Sequence, residues 1–480
     1  MIQSLLARLA PLCLFAPLCL LAPAVATPAA PALVAEDPPD LDPASGEGEP
    51  GTVYQWRSEN GLRFTWLLPD GFSAEQAYDV TVILHGTGLD YRWGHWNHPT
   101  GVFRPRDIVI SVDGPTKDGD SRLFLGEKAD GEAVQEFLKE LRASFPVDDL
   151  FLYGHSQGGF FAIWFAGEYP EDISGAVAHA SGAWNWSKMG RDVKKVPLAF
   201  LHGTRDPVVP YRQSLATRDA YAEEGFELLH LRRMQGYNHW PNAVRANEVI
   251  GWCDGMATED PEEALSEALE ILREKPADQY SYQTPVGYAA ARDVLRRLVG
   301  DGPRPFDEVD SGVERKARSW IKAIEEAGAA QVSILKKQVG SKKALRLAEG
   351  EWLGHLLAVR EDFRGVDTVE AYVDKVGFDA VTKKQAKARK AILEAYYGQG
   401  DKAERYAEIV EQLADGFLYE GYPPDLLETL RKWEPTGADR KQLSKKARAG
   451  AEDLTVWESG LKDGQEAYGK LWKRWEGPED

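Results

Sequence analysis

The sequence predicts an α/β protein: an open, mostly parallel sheet with helices on both faces, followed by an all-helical C-terminal part. Three observations carry this. First, apolar runs at 80–84, 108–112, 150–153, 173–178, 196–201 and 228–231 lie among helical segments. That alternation is the mark of βαβ units. Second, these runs lead into His85-Gly86-Thr87-Gly88, Asp113-Gly114-Pro115, Gly154-His155-Ser156-Gln157-Gly158, His179-Ala180-Ser181-Gly182 and His202-Gly203-Thr204-Arg205-Asp206. An open α/β sheet places its active site at the carboxyl ends of its strands, where these groups would lie. Third, strand-like runs largely stop after Gly255, and 3.6-residue periodicity takes over.

In order, residues 1–26 read as a secretory signal peptide. Arg8 supplies the positive charge, 9–22 are apolar, and Ala24-Val25-Ala26 fits a cleavage site. Pro11 and Pro17 interrupt the run, which is too short for a membrane anchor, and no good lipobox precedes Cys13 or Cys19. The protein is therefore expected to be exported, with no membrane span after processing. Of three cysteines only Cys253 would remain, so no internal disulfide can form. Residues 27–50, rich in Pro, Ala, Asp and Glu, read as a flexible linker. The formal net charge of -19 argues against a general nucleic-acid binder.

The folded part is expected over 51–255. It opens with a hairpin, 53–56 and 62–68, around Glu59-Asn60-Gly61. A helix capped by Asp130 and ending before Pro146 presents Ala133, Val134, Phe137, Leu138 and Leu141 on one face. Another helix covers roughly 211–224. A helical connector spans 256–305, with Asp260-Pro261 opening a helix over 262–274. Residues 306–480 read as a helical domain of unknown role. There Val313, Ala317, Trp320, Ile321 and Ile324 share a face, Asp401 and Glu404 form a capping box, and Gly416 ends that helix.

Ser156 sits in a Gly-x-Ser-x-Gly turn between an apolar run and a helix, an arrangement that strains the serine and exposes its hydroxyl. A serine needs a base to take its proton and a carboxylate to orient that base. Asp206 and His239 follow Ser156, each just after a later strand, in the order Ser, Asp, His. His85, His155, His179, His202 and His230 are competitors, but only His239 lies beyond the last strand, in Gly236-Tyr237-Asn238-His239. The oxyanion formed on the carbonyl would be held by backbone N–H groups of Gln157 and of Thr87, with Gly86 as the alternative to Thr87. Trp93 and Trp96, and Trp184 and Trp186, are candidates to line an aromatic cleft for a sugar or phenolic ester. Simple packing is the competing account. His95 and His98 lack the ligand count of a metal site. Lys336, Lys337, Lys342, Lys343, Lys383, Lys384, Lys387 and Lys390 read as a solvated helix face, with attachment to an anionic envelope polymer as the sharper alternative.

This set of motifs resembles the α/β-hydrolase superfamily. The serine and aspartate motifs look like those of phospholipase/carboxylesterase and dienelactone-hydrolase-like esterases, with the polyhydroxybutyrate depolymerase and feruloyl esterase branch second. Depolymerase-type relatives carry disulfides that this chain cannot form. The resemblance covers about 52–255. It implies a serine hydrolase of carboxylic esters, needing no metal or organic cofactor and acting on a small or polymer-attached ester. A peptidase of the same fold, acyl transfer to an acceptor other than water, and a non-catalytic scaffold are the rival readings. The resemblance does not extend beyond Gly255, and the helical domain is left for an unidentified partner.

Overall fold

The computed structural model describes residues 37–184, 195–204, 206–234, 237–273, 287–339, 356–376, 378–413 and 426–451. The leader-like residues 1–26, Gly416 and Trp186 lie outside the described residues. The hairpin forms where expected, with β1 (Val53–Arg57) antiparallel to β2 (Arg63–Leu67). Gly61 supplies the left-handed backbone of the turn at φ 89. Then come β3 (Tyr78–Leu84), β4 (Ile108–Val112) and a small separate ribbon, β5 (Thr116–Asp118) with β6 (Ser121–Leu123). The main sheet continues with β7 (Val147–His155), β8 (Gly175–His179), β9 (Leu198–Gly203) and β10 (Leu229–Met234). Its order is β1-β2-β4-β3-β7-β8-β9-β10, parallel from β4 onward.

Period-two alternation divides each central strand between two cores. Val80, Val82, Leu84, Leu150 and Leu152 face one layer. It is covered by α2 (Lys128–Ser144), α3 (Gln157–Glu168) and α4 (Arg212–Glu223). Ile83, Phe151, Tyr153, Val177 and Ala199 face the other, where Trp93 of α1 (Trp93–Asn97) and the buried α5 (Ala243–Ala257) pack. That second core runs on without a break through α6 (Pro261–Arg273), α7 (Tyr288–Leu298) and α8 (Ser311–Val339) to Phe363 and Val369. Small residues permit the close approach: a Cβ on Gly255 would stand 2.8 Å from Val294. A separate cluster holds Ile392, Tyr406, Ile409, Val410 and Leu430.

Two helix N-termini carry the aspartate caps that the sequence predicts. Asp260 Oδ1 accepts from Glu262 N at 2.8 Å, and Asp401 Oδ1 from Ala403 N at 2.7 Å. Asp130 is a correction. The helix starts earlier, at Lys128, and the buried Asp130 side chain instead accepts from Thr116 Oγ1 and Leu125 N, both at 2.6 Å. It pins the loop beyond β4 rather than capping α2. Residues 39–50, assigned to the linker from composition, lie against the hairpin. Leu41 N bonds to Gln55 O and Gln55 N to Pro39 O, each at 3.0 Å, while Trp66 Nε1 donates to Leu41 O. The large buried indole supplies the apolar contact that composition alone did not suggest. Among the described residues no helix is long and apolar enough to cross a membrane.

Candidate active site

Ser156 stands between β7 and α3 with φ 52 and ψ −115, a region non-glycine residues avoid unless the surroundings force it. Both flanking glycines are required. A Cβ on Gly154 would stand 2.1 Å from Gly158 O, and one on Gly158 would stand 2.2 Å from Leu84 O. The turn is held by Ser156 N donating to His179 O at 2.9 Å and by Phe160 N returning to Ser156 O at 3.1 Å. As the first residue of α3, Gln157 has a backbone N–H with no carbonyl in its own helix to bond. Its side chain accepts from Phe124 N at 3.4 Å. Gly86 packs against the same serine, for a Cβ there would be 3.1 Å from Ser156 Cβ. Thr87 follows, exposed, on the rim.

Asp206 is buried at the end of β9, and all its acceptor positions are used. Oδ1 takes the N–H groups of Val208 and Val209 at 2.8 and 2.9 Å. Oδ2 takes His239 Nδ1 at 2.7 Å and lies 3.2 Å from His202 Nε2. Burial alone would raise this carboxyl; the two histidines outweigh it and hold it at about 2. The His239 loop reaches Asp206 because position 203 has no side chain: a Cβ on Gly203 would stand 2.3 Å from the carbonyls of Tyr237 and Asn238.

Behind His239 lies a stack of rings. His155 packs on the His239 ring at 4.8 Å, on Trp93 at 4.7 Å and on His179 at 4.9 Å. The Nδ1 atoms of His155 and His179 are 2.8 Å apart, so one donates and the other accepts. Burial drives both rings well below the ordinary histidine range. It also lowers His85 and His98 to about 4. His85 Nδ1 donates to Gly86 O at 2.9 Å and its Nε2 accepts from Gly114 N at 3.2 Å; His98 Nδ1 donates to Gly94 O at 2.8 Å. His230 lies on β10 beside Asp293.

The structure therefore brings Ser156, Gly86, Gln157, Asp206 and His239 to one end of the sheet. The tryptophans separate. Trp93 is buried beneath the site and serves as packing for His155, a correction to its reading as a cleft-lining residue. Trp96 and Trp184 are exposed, the latter stacked on Phe160 at 5.6 Å. Trp240 was missed: it is 48% exposed, with its ring 6.5 Å from that of His239. Its place directly after His239 in the chain was the signal. From the sequence His202 is only a competitor for His239, whereas the structure sets both on one carboxylate.

An eight-stranded, mostly parallel sheet with a strained serine between a central strand and its following helix defines an α/β-hydrolase fold. A family model described as the alpha/beta hydrolase fold matches residues 126–209, from the approach to α2 through the serine turn and past Asp206. Among curated proteins, the chain is 24% identical over 143 residues to a 1-acylglycerol-3-phosphate O-acyltransferase of Arabidopsis thaliana, which is 29% of this chain and 34% of that one. The chain thus spans about a third of the length of that relative. Among solved structures, the Bacillus cereus carboxylesterase is similar, at 17% identity over 42% of this chain and 100% of that one, TM-score 0.34. The feruloyl esterase module from Clostridium thermocellum matches at 11% identity over 45% of this chain and 92% of that one, TM-score 0.33.

Proposed function

We propose that the chain is an exported serine hydrolase of carboxylic esters. The observation that carries this is the 2.7 Å bond from His239 Nδ1 to Asp206 Oδ2, with the His239 ring packed on the residue preceding the strained Ser156. With Nδ1–H committed to the carboxylate, Nε2 of His239 holds the lone pair that takes the Ser156 proton. Ser156 Oγ attacks the ester carbonyl, and the backbone N–H groups of Thr87 and Gln157 hold the oxyanion. His239 then protonates the leaving alcohol. Water, activated by the same imidazole, releases the acid from the acyl-enzyme. Trp96 on α1, with Trp184 and Trp240 on loops, is exposed beyond the carboxyl ends of the strands, and the three supply an apolar rim for the acyl or alcohol part. The leader-like pattern of residues 1–26 supports export.

The test is a panel of short-acyl, long-acyl, feruloyl and peptide substrates offered to the full mature chain and to Ser156→Ala. Ester cleavage that drops by at least about a thousandfold in the variant is expected. Retention of full activity, or cleavage of no ester by the parent, overturns the reading. The acyltransferase relative favours a second reading, in which an alcohol rather than water takes the acyl group. Product analysis with glycerol or a primary alcohol added separates the two.

A further inference from the structure

We infer that His202 carries a proton on both ring nitrogens and, as an imidazolium, is the positioning residue that holds Asp206 for His239. This rests on the reading of Asp206 and His239 as the partners of Ser156.

Hydrogen-bond accounting leads there. The ring is buried at the end of β9. Its Nε2 lies 2.8 Å from Val209 O and 3.2 Å from Asp206 Oδ2. A carbonyl and a carboxylate can only accept, so Nε2 must bear hydrogen. Its Nδ1 lies 2.6 Å from Ser214 Oγ. That hydroxyl has one hydrogen, and it is directed to Ser181 O at 2.5 Å. Ser214 therefore accepts from Nδ1, which must also bear hydrogen. A neutral imidazole can satisfy only one of these two sides.

The charged and titratable surroundings are consistent with this. Asp206, a full carboxylate, faces the ring directly, and His239 shares the same oxygen. His179, on the neighbouring β8, is held neutral by burial. Tyr211 meets the ring edge-on at 5.8 Å. Arg233 is the register partner of His202 on β10, and its guanidinium lies over the Tyr211 ring at 6.0 Å. A buried cation is retained only where it is paired and hydrogen-bonded, and His202 has three acceptors. The consequence for the site is geometric: Asp206 Oδ2 is fixed between two ring N–H donors, so its approach to His239 is set on both sides.

Nitrogen-15 NMR of the histidine rings in the full chain at neutral pH tests the proton count, with His202→Gln identifying the signals. Both ring nitrogens of His202 are expected to be proton-bearing, and a lone-pair nitrogen overturns the assignment. In His202→Gln the Nδ1–H resonance of His239 should move; an unmoved resonance overturns the positioning role. On a short-acyl nitrophenyl ester, His202→Phe should lower kcat by about ten- to a hundredfold with KM little changed, and His202→Gln should restore most of it. Equal losses in the two variants count against positioning. If Ser156→Ala remains active, the site reading has failed, whereas the NMR result still decides the proton count.

Discussion

Asp206 shows how one side chain can have its protonation set by neighbours. Its folded value of about 2 lies below the ordinary 3.8, so its contribution to stability is present above about pH 4 and is lost as pH falls through about 2. The shift corresponds to roughly 2 kcal/mol. Asp206→Asn should be less stable than the parent at pH 5, with the gap closing by pH 2. Urea titrations at both pH values measure it, and a constant gap refutes the linkage. The same variant should lose activity by about three to four orders of magnitude at neutral pH, because the imidazole loses its tautomer. Much of this site was legible in residue order: the strands ahead of Ser156, Asp206 and His239 are periodic and local. The second histidine on Asp206 was not, because a strand-end histidine looks the same whether it packs, donates or competes.

At the scale of elements, β10 departs furthest from expectation. An apolar run predicted a buried strand, yet the strand carries His230, Arg232 and Arg233, all buried. The partners of His230 and Arg232 include residues far along the chain. Arg232 bonds to Asp362 and lies 3.2 Å from Glu248, and Glu248 accepts from Arg245 at 2.9 Å. Asp293 accepts from Arg364 at 2.8 Å and lies 3.8 Å from His230. Periodicity reports which way a side chain faces but not what meets it, so a partner 130 residues away leaves no local trace. Removing one member of a buried charge network leaves the others uncompensated. Asp362→Ala should therefore destabilise the fold by about 3–5 kcal/mol in chemical denaturation. A loss under about 1 kcal/mol would mean that Glu248 alone satisfies Arg232.

At the largest scale, the sheet, α5, α6, α7 and α8 share one core, and a charged cluster sits within it. Arg104, buried and at φ 39, donates to Asp107 at 2.6 Å and Asp254 at 2.9 Å, with Glu267 and Asp79 at 3.8 and 3.7 Å. Four carboxylates thus surround this guanidinium, and burial, with Asp107 close by, pushes Asp79 up to about 7. A carboxyl raised on folding favours the folded state when protonated, so its cost grows as pH rises from about 4 to 7 and is complete above that. Asp79→Asn mimics the protonated form. It should raise Tm relative to the parent at pH 8 and have little effect at pH 4. Thermal melts at the two pH values decide, and an equal effect at both contradicts the titration. The fold class was readable from strand spacing; this cluster was not, since it joins β3, the start of β4, α5 and α6 only after folding.

The segment at 39–41 has one more consequence, for how the molecule meets its neighbours. A sheet border ordinarily presents unpaired amides and carbonyls on which another chain can lay a strand. On β1 the central outward-facing pair, the N–H and C=O of Gln55, is already occupied by Pro39 and Leu41. The chain thus blunts the border of its own sheet, and growth of that sheet by strand addition would first require this flap to be peeled away.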